Sequence, residues 1–470
     1  MRRAAYLVAA VLLACPAWSA EPVDMSKRAQ ELKGLRWGMF ICWSFSTFSG
    51  QEWTPGVKDV SFFKATGCGS DQWARTAKEA RMGYLLFLTK HHDGFCLWDT
   101  KTTGRKVTKS PLGRDVLAEL RKSCDKHGIK LALYFSEGEW EWPNKPDGKR
   151  YQANGGCHPE MKKAQLQELL TQYGPIEYIW FDHAIGDGGM DHKETAAWVK
   201  KFQPGCFVGF NHGDQAGANI RLGEMGRPGP LEDHKAAGPH MRDQPSRGYL
   251  LAEFTYPILP PHQGGAMWFY SLPKHDKLCY PPQKLYKDYA GAAKYGNIFS
   301  IDVGPDYAGK LREIDVETLR KVGEMIANPS PVPPTPLSQG KPAKASSVWP
   351  QAGYEAEKAF DGDETTRWGA DSKARSGWIE VDLGAETTVG RAVVMELGFH
   401  RAQEFAIECQ LASRSGDAAA WKELVRGTTL AGERTFDFPA VKARVFRLNI
   451  LKANEVPTIE EFQLHPPKEK

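Results

Sequence analysis

From Tyr84 to Ile301 the chain alternates short, almost wholly apolar runs with longer amphipathic stretches. The runs are Tyr84-Leu-Leu-Phe-Leu88, Leu131-Ala-Leu-Tyr-Phe135, Tyr178-Ile-Trp-Phe181, Phe207-Val-Gly-Phe210 and Ile298-Phe-Ser-Ile301. Segments this short and this apolar predict strands buried on both faces, as in a parallel sheet. Between them Val116, Leu117, Leu120 and Cys124 recur at helical spacing. Leu166, Leu169 and Leu170 do the same ahead of a stop at Gly174-Pro175. Strand–helix alternation over this length predicts an α/β fold, a (β/α)8-like TIM barrel. An open doubly wound sheet is the alternative, but neither a GxGxxG nor a P-loop segment supports it.

The alternation stops at Asn328-Pro-Ser-Pro-Val-Pro-Pro-Thr-Pro336, where five prolines in nine residues forbid helix or central strand and favour an extended spacer. Beyond it the pattern changes. Gly377-Trp-Ile-Glu-Val-Asp-Leu383, Arg391-Ala-Val-Val-Met395 and Ala443-Arg-Val-Phe-Arg-Leu-Asn-Ile450 read as strands between Gly- and Asp-containing turns. That spacing predicts an all-β sandwich of jelly-roll type. The expected organisation is a leader over 1–20, a barrel over 21–327, a linker over 328–336 and a β-sandwich over 337–467.

Met1-Arg2-Arg3, an apolar run from Ala4 to Cys15 and the small residues up to Ala20 have the layout of a secretory signal peptide. Export to the periplasm or beyond is the expectation. A second reading takes Leu12-Leu13-Ala14-Cys15 as a lipoprotein box, with Cys15 lipidated. The apolar run is too short to span a bilayer, and no transmembrane segment is expected. Lys and Arg together number 61 against 57 Asp and Glu, a balance that argues against binding a phosphate backbone. The remaining cysteines are scattered, with no CxxC pair and no zinc-ligand spacing. Most read as core thiols, and one disulfide involving Cys68 or Cys157 stays open. The aromatic residues, 15 Trp, 15 Tyr and 22 Phe, would suit stacking on sugar faces, but composition alone favours a simple Trp-rich core.

The chemistry gathers where the apolar runs end. Thr89-Lys-His-His-Asp93 follows the first run, Asp182-His183 the third and Asn211-His212 the fourth. In a barrel these positions converge on the mouth formed by the C-terminal strand ends. Asp182 directly after Tyr-Ile-Trp-Phe is half-buried by position, and a buried carboxylate needs compensation. A metal at His91-His92-Asp93 is disfavoured, because residues at i and i+1 rarely bind one ion together.

These segments carry a resemblance. Leu88-Thr-Lys-His-His-Asp-Gly-Phe-Cys-Leu-Trp98, Leu133-Tyr-Phe-Ser136, Gln165 to Ile176, Ile179-Trp-Phe-Asp182, Gly50-Gln-Glu-Trp53 and Asn297 to Asp306 (with Gly304-Pro-Asp306) resemble the α-L-fucosidases of glycoside hydrolase family 29. The resemblance runs from about Leu35 to Ile326. It implies a retaining hydrolysis without a catalytic cofactor, with Asp182 as nucleophile. The acid/base is implied at Glu224, in Ile220-Arg-Leu-Gly-Glu224, with Glu253, in Leu251-Ala-Glu-Phe-Thr255, as the alternative. Glu52, Trp53, His91, His92, Tyr134, Trp180 and Trp268 would form the sugar pocket.

Two departures bear on the sugar. Phe40-Ile-Cys-Trp-Ser44 places Cys42 where the family has a histidine, and a thiol is a weak donor and acceptor. His183 stands where the family usually has glycine. A related galacto-configured or other 6-deoxy sugar is therefore the second reading, and a catalytically silent glycan-binding protein the third.

The second part resembles the discoidin or coagulation-factor C domains, which include family 32 carbohydrate-binding modules. The matching segments are Lys358-Ala-Phe-Asp-Gly-Asp363, Thr365-Thr-Arg-Trp368, Trp378 to Gly384, Ala443 to Leu448 and Pro457 to Phe462. Trp368 and Trp378 read as core residues. The resemblance implies a candidate structural Ca²⁺ held by Asp363, Thr366 and Glu461. A fucosylated glycan is the expected partner, and nucleic acid is not.

Overall fold

A computed structural model describes residues 23–137, 139, 159–182, 190–211, 216–232, 248–262, 264–329, 335–363, 366–397, 401–411, 420–430 and 432–468. The leader, Cys15, Cys157, His183 and His212 lie outside them. The chain divides into two compact units, with the boundary between Ser330 and Pro331.

The first unit is a parallel barrel. Its strands are β1 (Trp37–Ile41), β2 (Tyr84–Lys90), β3 (Lys130–Ser136), β4 (Tyr178–Asp182), β5 (Phe207–Phe210), β6 (Ile220–Glu224), β7 (Leu251–Pro257) and β8 (Ile298–Asp302). They pair side by side in the order β5-β4-β3-β2-β1-β8-β7-β6. Nearly every strand residue is buried, as expected for strands packed on both faces. Among the surrounding helices are α1 (Met25–Leu35), α2 (Phe45–Ser49), α3 (Ser70–Glu79), α4 (Val116–His127), α5 (Pro159–Gln172), α6 (His192–Phe202), α7 (Pro282–Tyr295) and α8 (Glu313–Ala327). Their ends follow local chemistry. Asp115 caps α4 by accepting from the Ala118 N–H at 2.8 Å, and Gly128 closes that helix in the left-handed conformation, φ 70°.

The ring has one seam. No ladder joins β5 to β6, the two ends of the strand order. Asn219, just before β6, bridges the gap: its N–H donates to the Val208 carbonyl at 2.9 Å, and its Oδ1 accepts from the Val208 N–H at 2.8 Å. Gly209 lets the strands come this close. A Cβ there would lie 2.7 Å from Leu222 Cγ and 2.9 Å from the Ile220 carbonyl oxygen.

The second unit is an antiparallel all-β domain with strands β9 (Ala343–Ala345), β10 (Trp368–Gly369), β11 (Gly377–Glu396), β12 (Ala402–Gln410), β13 (Trp421–Gly427), β14 (Gly432–Ala453) and β15 (Thr458–His465). The long strands β11 and β14 change register between Asp382 and Thr387 and again between Val389 and Arg391. Their early and late halves therefore pair with different neighbours: β9 and β12 on one side, β15 on the other. Ile379, Val381, Ala392 and Val394 share one core with Trp368. Trp378 corrects the sequence expectation, because it lies outside that core. Strand alternation sends Ile379, Val381 and Leu383 inward and leaves Trp378 and Glu380 part-exposed.

Cys68 is a free thiol, so the disulfide left open at that residue is not formed. No helix among the described residues is long and apolar enough to cross a membrane.

Candidate active site

The barrel collects its polar residues at one mouth. Cys42 follows β1, His91 and His92 follow β2, Ser136 ends β3, Asp182 ends β4, Asn211 follows β5, Glu224 ends β6 and Asp302 ends β8. The mouth holds a cavity of about 470 Å³, part of it open to solvent, within the size range of small-molecule sites. Cys42, Glu52, Trp53, His91, His92, Tyr134, Trp180, Trp268, Asp182 and Glu224 all line it, with Phe40, Leu88 and Phe269 completing the wall.

Asp182 is 9% exposed, and its carboxylate is compensated from several elements. The Tyr134 hydroxyl donates to Oδ2 at 2.6 Å, and Asn211 Nδ2 donates to Oδ1 at 3.0 Å. His92 Nε2 stands 3.5 Å from Oδ2, while its Nδ1 lies 2.6 Å from Ser136 Oγ, which fixes the ring. The backbone is held too, because the Glu137 N–H donates to the Asp182 carbonyl at 2.9 Å. Glu137 itself pairs with Lys162, with His192 Nε2 at 3.7 Å, and all three side chains are buried. Removing one partner of such a pair would strand a buried charge, so the strand exit behind Asp182 is rigidly specified.

Glu224 is reached from the same amide: Asn211 Nδ2 donates to its Oε2 at 2.7 Å. The next residue, Met225, sits at φ 53°, an uncommon region for a non-glycine residue, and its N–H is tied to the Thr255 carbonyl at 2.8 Å. Glu253 sits elsewhere. It is fully buried, does not line the cavity and accepts from the Trp180 indole at 3.2 Å. Burial pushes its carboxyl up to about 7. It thus supports the Trp180 ring, which stacks on Tyr134 with centroids 5.3 Å apart.

Glu52 accepts from the N–H groups of Met267 and Trp268 at 2.7 and 3.3 Å, so one carboxylate anchors the loop that brings Trp268 to the cavity. Burial, and more weakly the Glu224 charge, raise its carboxyl. Trp53 is 58% exposed and forms the rim. Cys42 lies beside Asp302, and burial pushes both the thiol and that carboxyl well above their ordinary ranges. Asp302 Oδ1 has no hydrogen-bond partner among the described residues. Sequence reasoning placed Asn211 at the barrel mouth without a role and gave none to Asp302 or Ser136. The available signal was the same for all three: each directly follows an apolar run.

The geometry can be set beside known proteins. The family model for alpha-L-fucosidase matches residues 51–329, more than half of the chain. The chain belongs to the alpha-L-fucosidase family. Its C-terminal unit matches the F5/8 type C domain over residues 342–462. This fucosidase-family chain is 26% identical to alpha-L-fucosidase 1 of Arabidopsis thaliana, covering 95% of this chain and 88% of the relative. It is 24% identical to human plasma alpha-L-fucosidase, covering 66% and 72%. Among solved structures, a putative alpha-L-fucosidase from Bacteroides thetaiotaomicron matches with TM-score 0.53 and 22% identity, covering 94% of this chain and 97% of that one. A Ruminococcus gnavus family 29 fucosidase in complex with fucose matches with TM-score 0.53 and 22% identity, covering 95% of each chain. These structures share the fold.

In the F5/8 type C domain, the expected cation donors meet at one loop. Thr366 Oγ1 lies 3.2 Å from the Lys358 carbonyl oxygen, 3.0 and 2.9 Å from the two Asp361 oxygens and 3.1 Å from the Asp363 carbonyl oxygen. One hydroxyl proton cannot serve four acceptors, and converging oxygens of this kind suit a hard cation. Asp361 brings the carboxylate and Asp363 its carbonyl, while Glu461 Oε1 accepts from the N–H groups of Gly362 and Asp363 at 2.8 and 3.1 Å.

Proposed function

We propose that the chain is an exported exo-acting α-L-fucosidase that releases terminal fucose from glycans with retention of configuration. The observation that carries this reading is the single Asn211 nitrogen shared by Asp182 and Glu224 at 3.0 and 2.7 Å. Those two bonds bring one oxygen of each carboxylate close together, which is compatible with the ~5–5.5 Å of retaining pairs. The cavity is lined by Tyr134, Trp180 and Trp268, aromatic faces that suit a terminal sugar.

In the first step an Asp182 oxygen attacks the anomeric carbon, the glycosidic C–O bond breaks, and Glu224 gives its proton to the departing oxygen. In the second step Glu224 takes a proton from water, the water oxygen bonds to the anomeric carbon, and Asp182 leaves as a carboxylate. Tyr134, Asn211 and His92 hold the Asp182 carboxylate in place for both steps. In the C-terminal domain, Lys358, Asp361, Asp363 and Thr366 would hold a Ca²⁺, which supplies structural cross-linking only. That domain's proposed role is to keep the enzyme near its glycan. Export rests on the leader sequence.

A second reading keeps the mechanism and changes the sugar. Its support is Cys42, a buried thiol in the cavity wall where the family pattern has a histidine for the sugar.

The test is fucose release from a panel of natural fucosylated oligosaccharides by wild type and Asp182→Asn. Release that disappears in the variant supports the reading. No release by folded wild type shifts the substrate to the second reading, and release that survives in Asp182→Asn removes Asp182 as nucleophile. With an activated aryl glycoside, azide should rescue Glu224→Ala and yield a retained glycosyl azide. Rescue of Glu253→Ala alone would transfer the acid/base role.

A further inference from the structure

Asn211 occupies a particular place in the barrel. Its backbone N–H donates to the Phe181 carbonyl at 2.8 Å, which extends the β4–β5 pairing by one residue and sets it beside Asp182. Its side chain crosses the β5–β6 seam, where no ladder exists, and reaches Glu224. We propose that Asn211 is a positioning residue for the reaction, its one NH₂ group fixing nucleophile and acid/base relative to each other across the open seam. The proposal rests on the reading of Asp182 and Glu224 as the catalytic pair.

The amide orientation follows from chemistry. Nδ2 carries two hydrogens and meets two carboxylate oxygens; the flipped amide would set Oδ1, an acceptor only, against both. In this orientation Oδ1 is buried with no partner among the described residues, so the side chain is held through its nitrogen alone. No backbone ladder fixes β6 against β5, and Asn219 does so only at the N-terminal end of the seam. Asn211 is the corresponding strut at the catalytic end.

A donor on Asp182 also favours its ionised form. Among the described residues, the other groups facing the pair include Tyr134 and His92 on Asp182, Glu52 toward Glu224, and Cys42 beside Asp302. None of these spans both carboxylates with one atom, as Asn211 Nδ2 does.

The test compares pH profiles of kcat/KM for wild type, Asn211→Leu and Asn211→Asp on an oligosaccharide that wild type hydrolyses. Asn211→Leu keeps the bulk and removes the donor. The acid limb should then move to higher pH, with kcat falling far more than KM rises. Asn211→Asp keeps the shape but carries at most one hydrogen, so it cannot bridge both carboxylates and should lose turnover as Asn211→Leu does. Thermal melting establishes that each variant is folded; if Asn211→Leu is not, the turnover of Asn211→Asp decides alone. An unmoved acid limb in folded Asn211→Leu, or an Asn211→Asp variant that keeps its turnover, would overturn the proposal. Retained turnover in Asp182→Asn would instead bring down the underlying assignment, whatever the Asn211 variants do.

Discussion

The Tyr134 hydroxyl donates to Asp182 Oδ2 at 2.6 Å, from a ring stacked on Trp180 and closed off from solvent. Burial and the neighbouring carboxylate push the phenol well above its ordinary range, so it remains a donor at every working pH. Such a bond favours ionised Asp182. In Tyr134→Phe the acid limb of kcat/KM should move to higher pH, and the rate should fall roughly tenfold or more, the scale of one hydrogen bond to a charged group. A pH–rate profile checks both, and an acid limb that stays in place would contradict the assignment.

Glu253 yields a stability prediction with a definite sign. Its carboxyl is raised by burial from the usual 4.5 to about 7 in the folded chain, so folding favours the protonated form. That contribution is complete below about pH 4.5 and is lost as pH rises through about 7. Glutamine keeps an acceptor for Trp180 without the charge. Glu253→Gln should therefore melt higher than wild type at pH ~8, by at most about 3 kcal/mol of stability, and much more nearly level at pH ~5. A melting difference independent of pH would refute this, and loss of turnover as complete as in Asp182→Asn would make Glu253 catalytic after all.

Cys42 lines the cavity, yet its thiol is buried, set beside the Asp302 carboxyl and shifted strongly upward. Alkylation needs the thiolate. Iodoacetamide at about pH 7.5 should leave turnover intact and Cys42 unmodified by peptide mapping. Rapid modification at Cys42, blocked by fucose, would show an environment different from the one described.

The oxygen cluster around Thr366 predicts a response to chelation. Calcium should raise the melting temperature of the C-terminal unit and EDTA should lower it, and Asp361→Ala should abolish the difference. Scanning calorimetry would resolve the two units, and an unchanged trace with and without chelator would remove the cation.

Much of the barrel could be read in advance because β2, β3, β4, β5 and β8 are nearly uninterrupted apolar runs. β6 escaped that rule. It carries Arg221, which is 1% exposed with its guanidinium donating to the Leu231 carbonyl at 2.6 Å, and a charged residue in so short a segment hides a strand. The pocket residues were legible through motif resemblance, whereas Asn211 and Asp302 acquire their meaning only from strands distant in sequence. Trp378 was misread for a simpler reason: period-two alternation places it opposite Ile379, and tryptophan's usual burial outweighed that count.

The β5–β6 seam has a mechanical consequence. A barrel closed by continuous ladders has a fixed circumference, but one joined at a single place by side-chain struts can widen or narrow there without breaking a row of backbone bonds. Glu224 sits on one lip of that joint and Asp182 one strand behind the other, at the end of β4. The compliance of the wall therefore falls where a leaving group must depart and a water must enter. Backbone amides of β6 near the joint should exchange with solvent sooner than those of β2 and β3, deep in the unbroken part of the ring.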